Sequence, residues 1–125
     1  MTTGLPTELL IEALPLLETE VMEGYAELKK LVKSLEENNY IINELFISHT
    51  TWPIDNKAVL EIRLRSTYAL FLNMPADKKL ILVITALVLI TARKAQPFNL
   101  IEKDSLIYSL FDLIAKKYSE LDNVK

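Results

Sequence analysis

The residues that could support catalysis in this chain are few. It has a single histidine, His49, and no cysteine. Zinc sites of the common types use cysteines and several histidines, and a di-iron site in a helical bundle uses Glu-x-x-His pairs from two helices. A Ser-His-Asp triad is compatible with the residue counts, but no Gly-x-Ser-x-Gly turn is present to position a serine nucleophile beside an oxyanion hole. We therefore expect no metal site and no catalytic residues.

Cofactor and phosphate binding are also disfavoured by composition. Phosphate-binding loops and dinucleotide fingerprints need several closely spaced glycines, and the chain has only Gly4 and Gly24. Paired carboxylates at helical spacing, such as Glu8 and Glu12, are far more often part of a solvated helix face than an acid–base pair. The sequence predicts that the protein has no cofactor and is not an enzyme.

Short basic clusters raise the alternative of nucleic-acid binding. They consist of Lys29, Lys30 and Lys33; Arg63 and Arg65; Lys78 and Lys79; Arg93 and Lys94; and Lys116 and Lys117. A recognition helix presents polar side chains to base edges, whereas the helix around Arg63 is mostly Leu, Ile, Val and Phe. The net charge of −3 gives no general attraction to a polyanion. A nucleic-acid-associated accessory or regulatory role is therefore the second hypothesis and is not favoured.

The elements that must position these residues are predicted to be helices. Two glycines and five prolines are too few for the many tight turns of an all-β fold. Hydrophobic periodicity predicts helices at about residues 7–37, 55–73, 75–95 and from 99 to the C-terminal tail. Thr7, Asp55 and Asn99 are candidate N-caps, and Pro15 should kink or split the first helix. Residues 40–48 fit a short buried helix, which is favoured, or a strand.

The longest uncharged stretch is residues 80–92, LILVITALVLITA. As a helix it covers about 20 Å, whereas a membrane span needs roughly 20 apolar residues, so we expect no membrane span. A helix that is apolar on every side belongs in the centre of a core. The predicted fold is all-α: a compact four- to five-helix bundle around a central helix at about residues 77–95, with residues 1–125 forming one helical domain.

The helix predicted at residues 55–73 is almost as apolar around its circumference. A bundle of this size can surround one such helix but hardly two, and leftover apolar surface usually marks an interface. A homodimer or another oligomer is therefore expected, with a different protein partner as the alternative. A monomer that hides this surface by irregular packing is the competing interpretation. The candidate interface residues are Leu14, Val21, Leu28, Trp52, Arg63, Arg65 and Phe71.

Arg63 and Arg65 have a geometric constraint of their own. They lie about 200° apart on a helix, so at least one must lie beside apolar neighbours and needs a carboxylate or carbonyl partner.

Taken together, the sequence predicts a non-catalytic helical interaction or assembly subunit. The N-terminal segment MTTGLPTELL lacks the features of a secretory signal, so an intracellular and cytoplasmic location is expected.

Overall fold

A computed structural model of the chain describes residues 5–17, 22–38, 40, 42, 57–95 and 106–121. Within these ranges the chain forms five α-helices and one short 3-10 segment, and no described residue is in a strand. The helices are α1 (Thr7–Ala13), α2 (Met22–Glu37), α3 (Lys57–Leu72), α4 (Lys78–Ala95) and α5 (Leu106–Leu121), with the 3-10 segment at Leu14–Leu17. The prediction of an all-α bundle is confirmed.

Helix α4 lies at the centre of this bundle. It packs against α1, the 3-10 segment, α2, α3 and α5. Its side chains from 80 to 92 are buried, apart from Leu82 and Leu89, which are partly buried. The hydroxyl of Thr85 is satisfied within the helix by donating to the carbonyl oxygen of Ile81, 2.7 Å away. The uncharged stretch is therefore the core helix that its composition predicts.

Helix α4 begins at a capped position. Asp77 precedes the first helical residue, and its Oδ1 accepts a hydrogen bond of 2.9 Å from the backbone N–H of Leu80. This is the N-cap arrangement, in which a short acidic side chain satisfies a first-turn amide. The helix therefore starts after Asp77, three residues later than the predicted start at Pro75.

Pro15 divides the N-terminal helix as predicted. Helix α1 ends at Ala13, and the chain continues as a 3-10 segment because proline has no N–H and crowds the preceding turn. The predicted cap at Thr7 is wrong. Pro6 holds the N-cap position without a side-chain hydrogen bond, and its carbonyl accepts from the N–H of Leu10 at 3.1 Å.

Two helices end on an asparagine that folds back on its own last turn. The side-chain amide of Asn38 donates to the carbonyl of Ser34 at 3.2 Å after α2. The amide of Asn73 donates to the carbonyl of Ala69 at 3.0 Å after α3. Each bond satisfies a carbonyl that has no partner further along the helix. Helix α2 ends at Glu37, as the predicted end of the first helix at about residue 37 requires.

Helix α5 buries one stripe. Its fully or largely buried residues are Ile107, Leu110, Phe111, Leu113, Ile114 and Lys117, and Tyr118 and Leu121 pack partly against the core. Buried residues of all five helices belong to one hydrophobic cluster. Several sequence predictions lie outside the described residues: the caps Asp55 and Asn99, His49, and the helix or strand predicted at 40–48, of which only Tyr40 and Ile42 are described, both outside any helix or strand. The predicted single domain, residues 1–125, also includes residues that the structure does not describe.

Candidate interaction surface

Helix α3 has an inner face and an outer face of different composition. The inner face, which packs on α4 and α5, includes Leu60, Leu64, Thr67 and Phe71. The exposed residues, which we call the α3 outer face, are Ala58, Ile62, Arg65, Ser66, Ala69, Leu70 and Leu72. Positions 58, 62, 65, 69 and 72 alternate by four and three residues, so they line up along one side of the helix. A stripe that is apolar except for Arg65 therefore runs along the outside of α3, and an apolar stripe runs along the inside.

Three large apolar side chains lie on this outer face. Ile62 is 61% exposed, Leu72 is 50% exposed and Leu70 is 43% exposed. Ile62 is near the middle of the stripe, with Ala58 and Ala69 on either side of it. Leu72 lies on the same side of the helix as Ile62, whereas Leu70, two residues from Leu72, points about 200° away from Leu72. Scattered exposed leucines are ordinary in proteins, but large apolar side chains that share one side of a helix form a patch of the kind found at interfaces.

The two arginines of α3 lie in different surroundings. Arg63 is only 8% exposed and is on the buried side of the helix, whereas Arg65 is exposed on the α3 outer face. The prediction that they cannot share a face is confirmed, because residues two apart point about 200° from each other. Of the pair, Arg65 is the one exposed to solvent.

The remaining candidate interface residues divide into three groups. Leu28 and Phe71 are fully buried in the chain's own core, so the prediction that they line an interface is wrong. Leu14 is half-exposed and lies three residues from Ile11, which is 65% exposed, so the junction of α1 and the 3-10 segment carries a second, smaller apolar patch. Val21 and Trp52 lie outside the described residues.

Lys117 has a structural role that sequence reasoning missed. Its ammonium is buried and donates to the backbone carbonyl oxygens of Met74 and Leu72, the latter at 3.5 Å. It also lies 5.2 Å from the centre of the Phe71 ring. A cation at these carbonyls complements the negative end of the α3 dipole. The available signal was its register, since Lys117 follows Ile114 by three residues on the buried stripe of α5.

Each of the basic clusters seen in the sequence has a member that is buried or bound within the chain. Lys117 and Arg63 are buried, and four others bind nearby groups: Lys30 to Glu27 at 3.3 Å, Lys78 to Glu12 at 2.7 Å, Lys79 to the Ser34 hydroxyl at 2.8 Å, and Arg93 to the Leu17 carbonyl at 3.5 Å. These contacts reduce the positive surface that could meet phosphate groups.

The paired carboxylates Glu8 and Glu12 belong to a polar cluster on the surface. The Tyr118 hydroxyl donates to Glu8 Oε2 at 2.9 Å, and Lys78 Nζ contacts Glu12 Oε2 and lies 5.0 Å from the Tyr118 ring centre. The hydrogen bond with Glu12 raises the pKa of Lys78 above its usual 10.5, and the hydrogen bond to Glu8 raises the pKa of Tyr118 above its usual 10.0.

This cluster joins three helices. Each carboxylate has its own donor, the Tyr118 hydroxyl for Glu8 and the Lys78 ammonium for Glu12. Lys78 and Glu12 each remain nearly half exposed, so solvent screens the ion pair between them. The cluster ties α1 to the start of α4 and to the C-terminal half of α5.

Two shallow cavities open on the surface of the described helices. One, of about 370 Å³, lies between the end of α2 and the start of α4 and is lined by Leu35, Asn38, Tyr40, Asp77 and Lys79. The other, of about 250 Å³, lies between α3 and α5 and is lined by Tyr68, Leu72, Ser109, Asp112, Leu113 and Lys116. In the first, Asp77 caps α4 and Lys79 binds Ser34, so its charged groups already have structural partners.

Within the part of the chain that the structure describes, no three His, Cys, Asp or Glu side chains are grouped so that they could hold a metal ion. No helix in the same ranges is long and apolar enough to cross a membrane. Comparisons of the chain with protein-family models, curated proteins and solved structures found no match. The function must therefore be inferred from the chain's own surface, on which the α3 outer face is the largest group of exposed apolar side chains described.

Proposed function

We propose that the protein is a non-catalytic helical interaction or assembly subunit that acts through self-association or through a protein partner. The observation that carries this proposal is the α3 outer face, where Ile62, Leu70 and Leu72 are exposed on one helix. Water contact with this much apolar surface is unfavourable, and its burial against another chain removes the cost. A homodimer is the simplest form of such an association.

The size of the exposed apolar surface suggests a weak complex. Ile62 and Leu72 share one side of α3, and their exposed parts together amount to about one side chain. Full burial of one such side chain contributes about 1.5–3 kcal/mol, so each copy would gain about that much and a symmetric dimer about twice that. Association itself costs about 4–15 kcal/mol, so we expect a dimer that depends on concentration and dissociates in the micromolar range or above.

The nucleic-acid alternative has less support from the surface. Lys78, Lys79 and Lys117 are bound to groups of the same chain, and Arg63 is buried. An intracellular, cytoplasmic location is part of the proposal, and a chain without cysteine is compatible with a reducing compartment.

Light scattering during size-exclusion chromatography, over a range of loading concentrations, tests the proposal. The wild-type mass should rise from 14.3 kDa towards twice that value as concentration increases. Ile62→Lys should remain at the monomer mass because it places a charge in the apolar patch. Ile11→Lys is the matched control, since Ile11 is 65% exposed and Ile62 is 61% exposed but they lie on different helices.

A wild-type chain that stays monomeric at every concentration would contradict self-association and leave the protein-partner form of the proposal. Equal effects of Ile62→Lys and Ile11→Lys would contradict the assignment to α3. A peak with the raised ultraviolet absorbance ratio of nucleic acid would support the alternative function. Circular dichroism of both variants should match the wild type, because both positions are on the surface.

A further inference from the structure

We propose that residues 5–17 form a strap that undocks from α4 while the other helices stay folded, and that this opening uncovers an apolar surface of α4 with a cation at each end. The strap consists mainly of α1 and the 3-10 segment at Leu14–Leu17. The inference does not depend on the α3 outer face or on the proposed function. It is carried by the short length of α1, by the few contacts that hold the strap, and by the packing among the remaining helices.

The strap has little helical stability of its own. Helix α1 has 7 residues, and isolated helices shorter than about 12–15 residues are marginal in water. Its N-cap residue, Pro6, makes no side-chain hydrogen bond, and Pro15 prevents the regular helix from continuing beyond Ala13. The helical conformation of α1 therefore depends on its docking against α4.

The strap docks by one apolar side and leaves other apolar side chains in water. Its buried residues are Leu5, Leu9, Ala13, Leu16 and Leu17. In contrast, Ile11 is 65% exposed and Leu14 is 52% exposed, so these two side chains gain little from docking. Only the inner side of the strap therefore opposes the gain in chain entropy that release provides.

The polar contacts of the strap are weak ones. The ion pair between Glu12 and Lys78, the first residue of α4, is nearly half exposed, and the hydrogen bond from Tyr118 to Glu8 also lies on the surface. Arg93, near the end of α4, donates to the Leu17 carbonyl at 3.5 Å, which is long for an N–H···O bond. Undocking releases both cations, so Lys78 and Arg93 are left at opposite ends of the uncovered surface of α4.

The remaining helices keep their packing around α4 when the strap leaves. Helix α4 packs directly against α2, α3 and α5, and α3 packs against α5. The hydrogen bond from Lys79 to the Ser34 hydroxyl also joins α2 to the start of α4. Undocking removes only the contacts that the strap itself makes with its neighbours. The opening is therefore a local event that occurs without global unfolding.

Thiol labelling of the full chain tests this inference, because the chain has no cysteine of its own. Ala13→Cys places a thiol in the strap, and Ala86→Cys is the matched control in α4, since both alanines are fully buried. A thiol reagent should modify position 13 about tenfold faster than position 86, or more. The rate at position 13 should also rise less steeply with urea, because undocking exposes less surface than global unfolding. Hydrogen exchange of the unsubstituted chain gives the same comparison, between the Leu14 amide, which bonds to the Leu10 carbonyl, and the amides at the centre of α4.

Lys117→Met separates opening of the strap from global unfolding. Lys117 binds the C-terminal end of α3, so its loss should destabilise the open and the closed strap equally relative to the unfolded chain. Labelling at position 86 should then accelerate about thirtyfold, which corresponds to about 2 kcal/mol, and labelling at position 13 should not change. If both positions accelerate equally, or if they have the same rate and the same urea dependence without this substitution, the strap opens only with global unfolding and the inference is overturned.

Discussion

Replacement of Lys117 by methionine should destabilise the monomer, because the Lys117 ammonium binds the C-terminal end of α3. Methionine keeps most of the length and apolar character of the lysine stem but removes the ammonium. The carbonyl oxygens of Leu72 and Met74 then lose their donor at the C-terminal end of α3, where the peptide dipoles are least compensated. The contact of the cation with the Phe71 ring is lost as well.

We expect a loss of about 2 kcal/mol in the free energy of unfolding. Hydrogen bonds that involve a charged group contribute about 1.5–3 kcal/mol, and a partly buried cation at a helix C-terminus contributes up to about 2 kcal/mol. These contributions overlap, and the variant also avoids the cost of burying an ammonium group, which offsets part of the loss. For a chain of this length, about 2 kcal/mol corresponds to a fall in Tm of about 8 °C.

Urea unfolding followed by circular dichroism, at a protein concentration that keeps the chain monomeric, gives the measurement. Lys116→Met is the matched control, because Lys116 is the exposed neighbour and its loss should change stability by less than about 0.5 kcal/mol. The urea dependence of the free energy should be the same for both variants. If Lys117→Met were as stable as Lys116→Met, the buried ammonium would not be a cap for α3 and the reasoning would be refuted.

Two further predictions concern the start of α4 and the polar cluster beside it. Asp77→Ala should reduce stability by about 1 kcal/mol through loss of the N-cap, and an unchanged unfolding midpoint would contradict the role given to Asp77. Folding raises the pKa of Lys78, through Glu12, and the pKa of Tyr118, through Glu8. Each contact stabilises the protein fully when the pH is below the unfolded pKa of its donor, 10.5 for Lys78 and 10.0 for Tyr118. That stabilisation is lost as the pH rises through the folded pKa of the same group. Thermal unfolding at a series of alkaline pH values should therefore show a Tm that falls with rising pH, and this fall should be less steep in Tyr118→Phe than in the wild type. The same fall in both proteins would contradict the stabilising role of the hydrogen bond from Tyr118 to Glu8.

The part of the fold that composition dictates could be predicted from the sequence. Thirteen consecutive residues without charge, at 80–92, have no polar side to turn to water, so a central helix follows directly. The stripe of α5 and the break at Pro15 were predictable for similarly local reasons. These features depend on periodicity or on a single backbone constraint, and each is visible without knowledge of any tertiary neighbour.

The predicted interface residues were less accurate because their exposure depends on the rotation of each helix. A helix that is apolar on all sides gives no indication of which side faces inward. Phe71 is for this reason among the predicted interface residues, although it is fully buried in the core. Leu14 and Leu28 both fall within the helix predicted at about residues 7–37, but the break at Pro15 changes the direction of α1, so Leu9 and Ala13 are buried and Leu14 is half-exposed. The buried position of Lys117 was not predicted, because a lysine within an apolar stripe is normally expected to extend its ammonium to solvent.

The central position of α4 has a consequence for how the chain acquires its structure during synthesis. Helices α1, α2 and α3 precede α4 in the chain, but α5 follows it and covers one of its sides. Until Leu106–Leu121 has left the ribosome, that side of an apolar helix faces water or a neighbouring nascent chain. The last sixth of the sequence thus completes the shielding of the core, and a chain truncated before α5 should aggregate during expression even though α4 is intact.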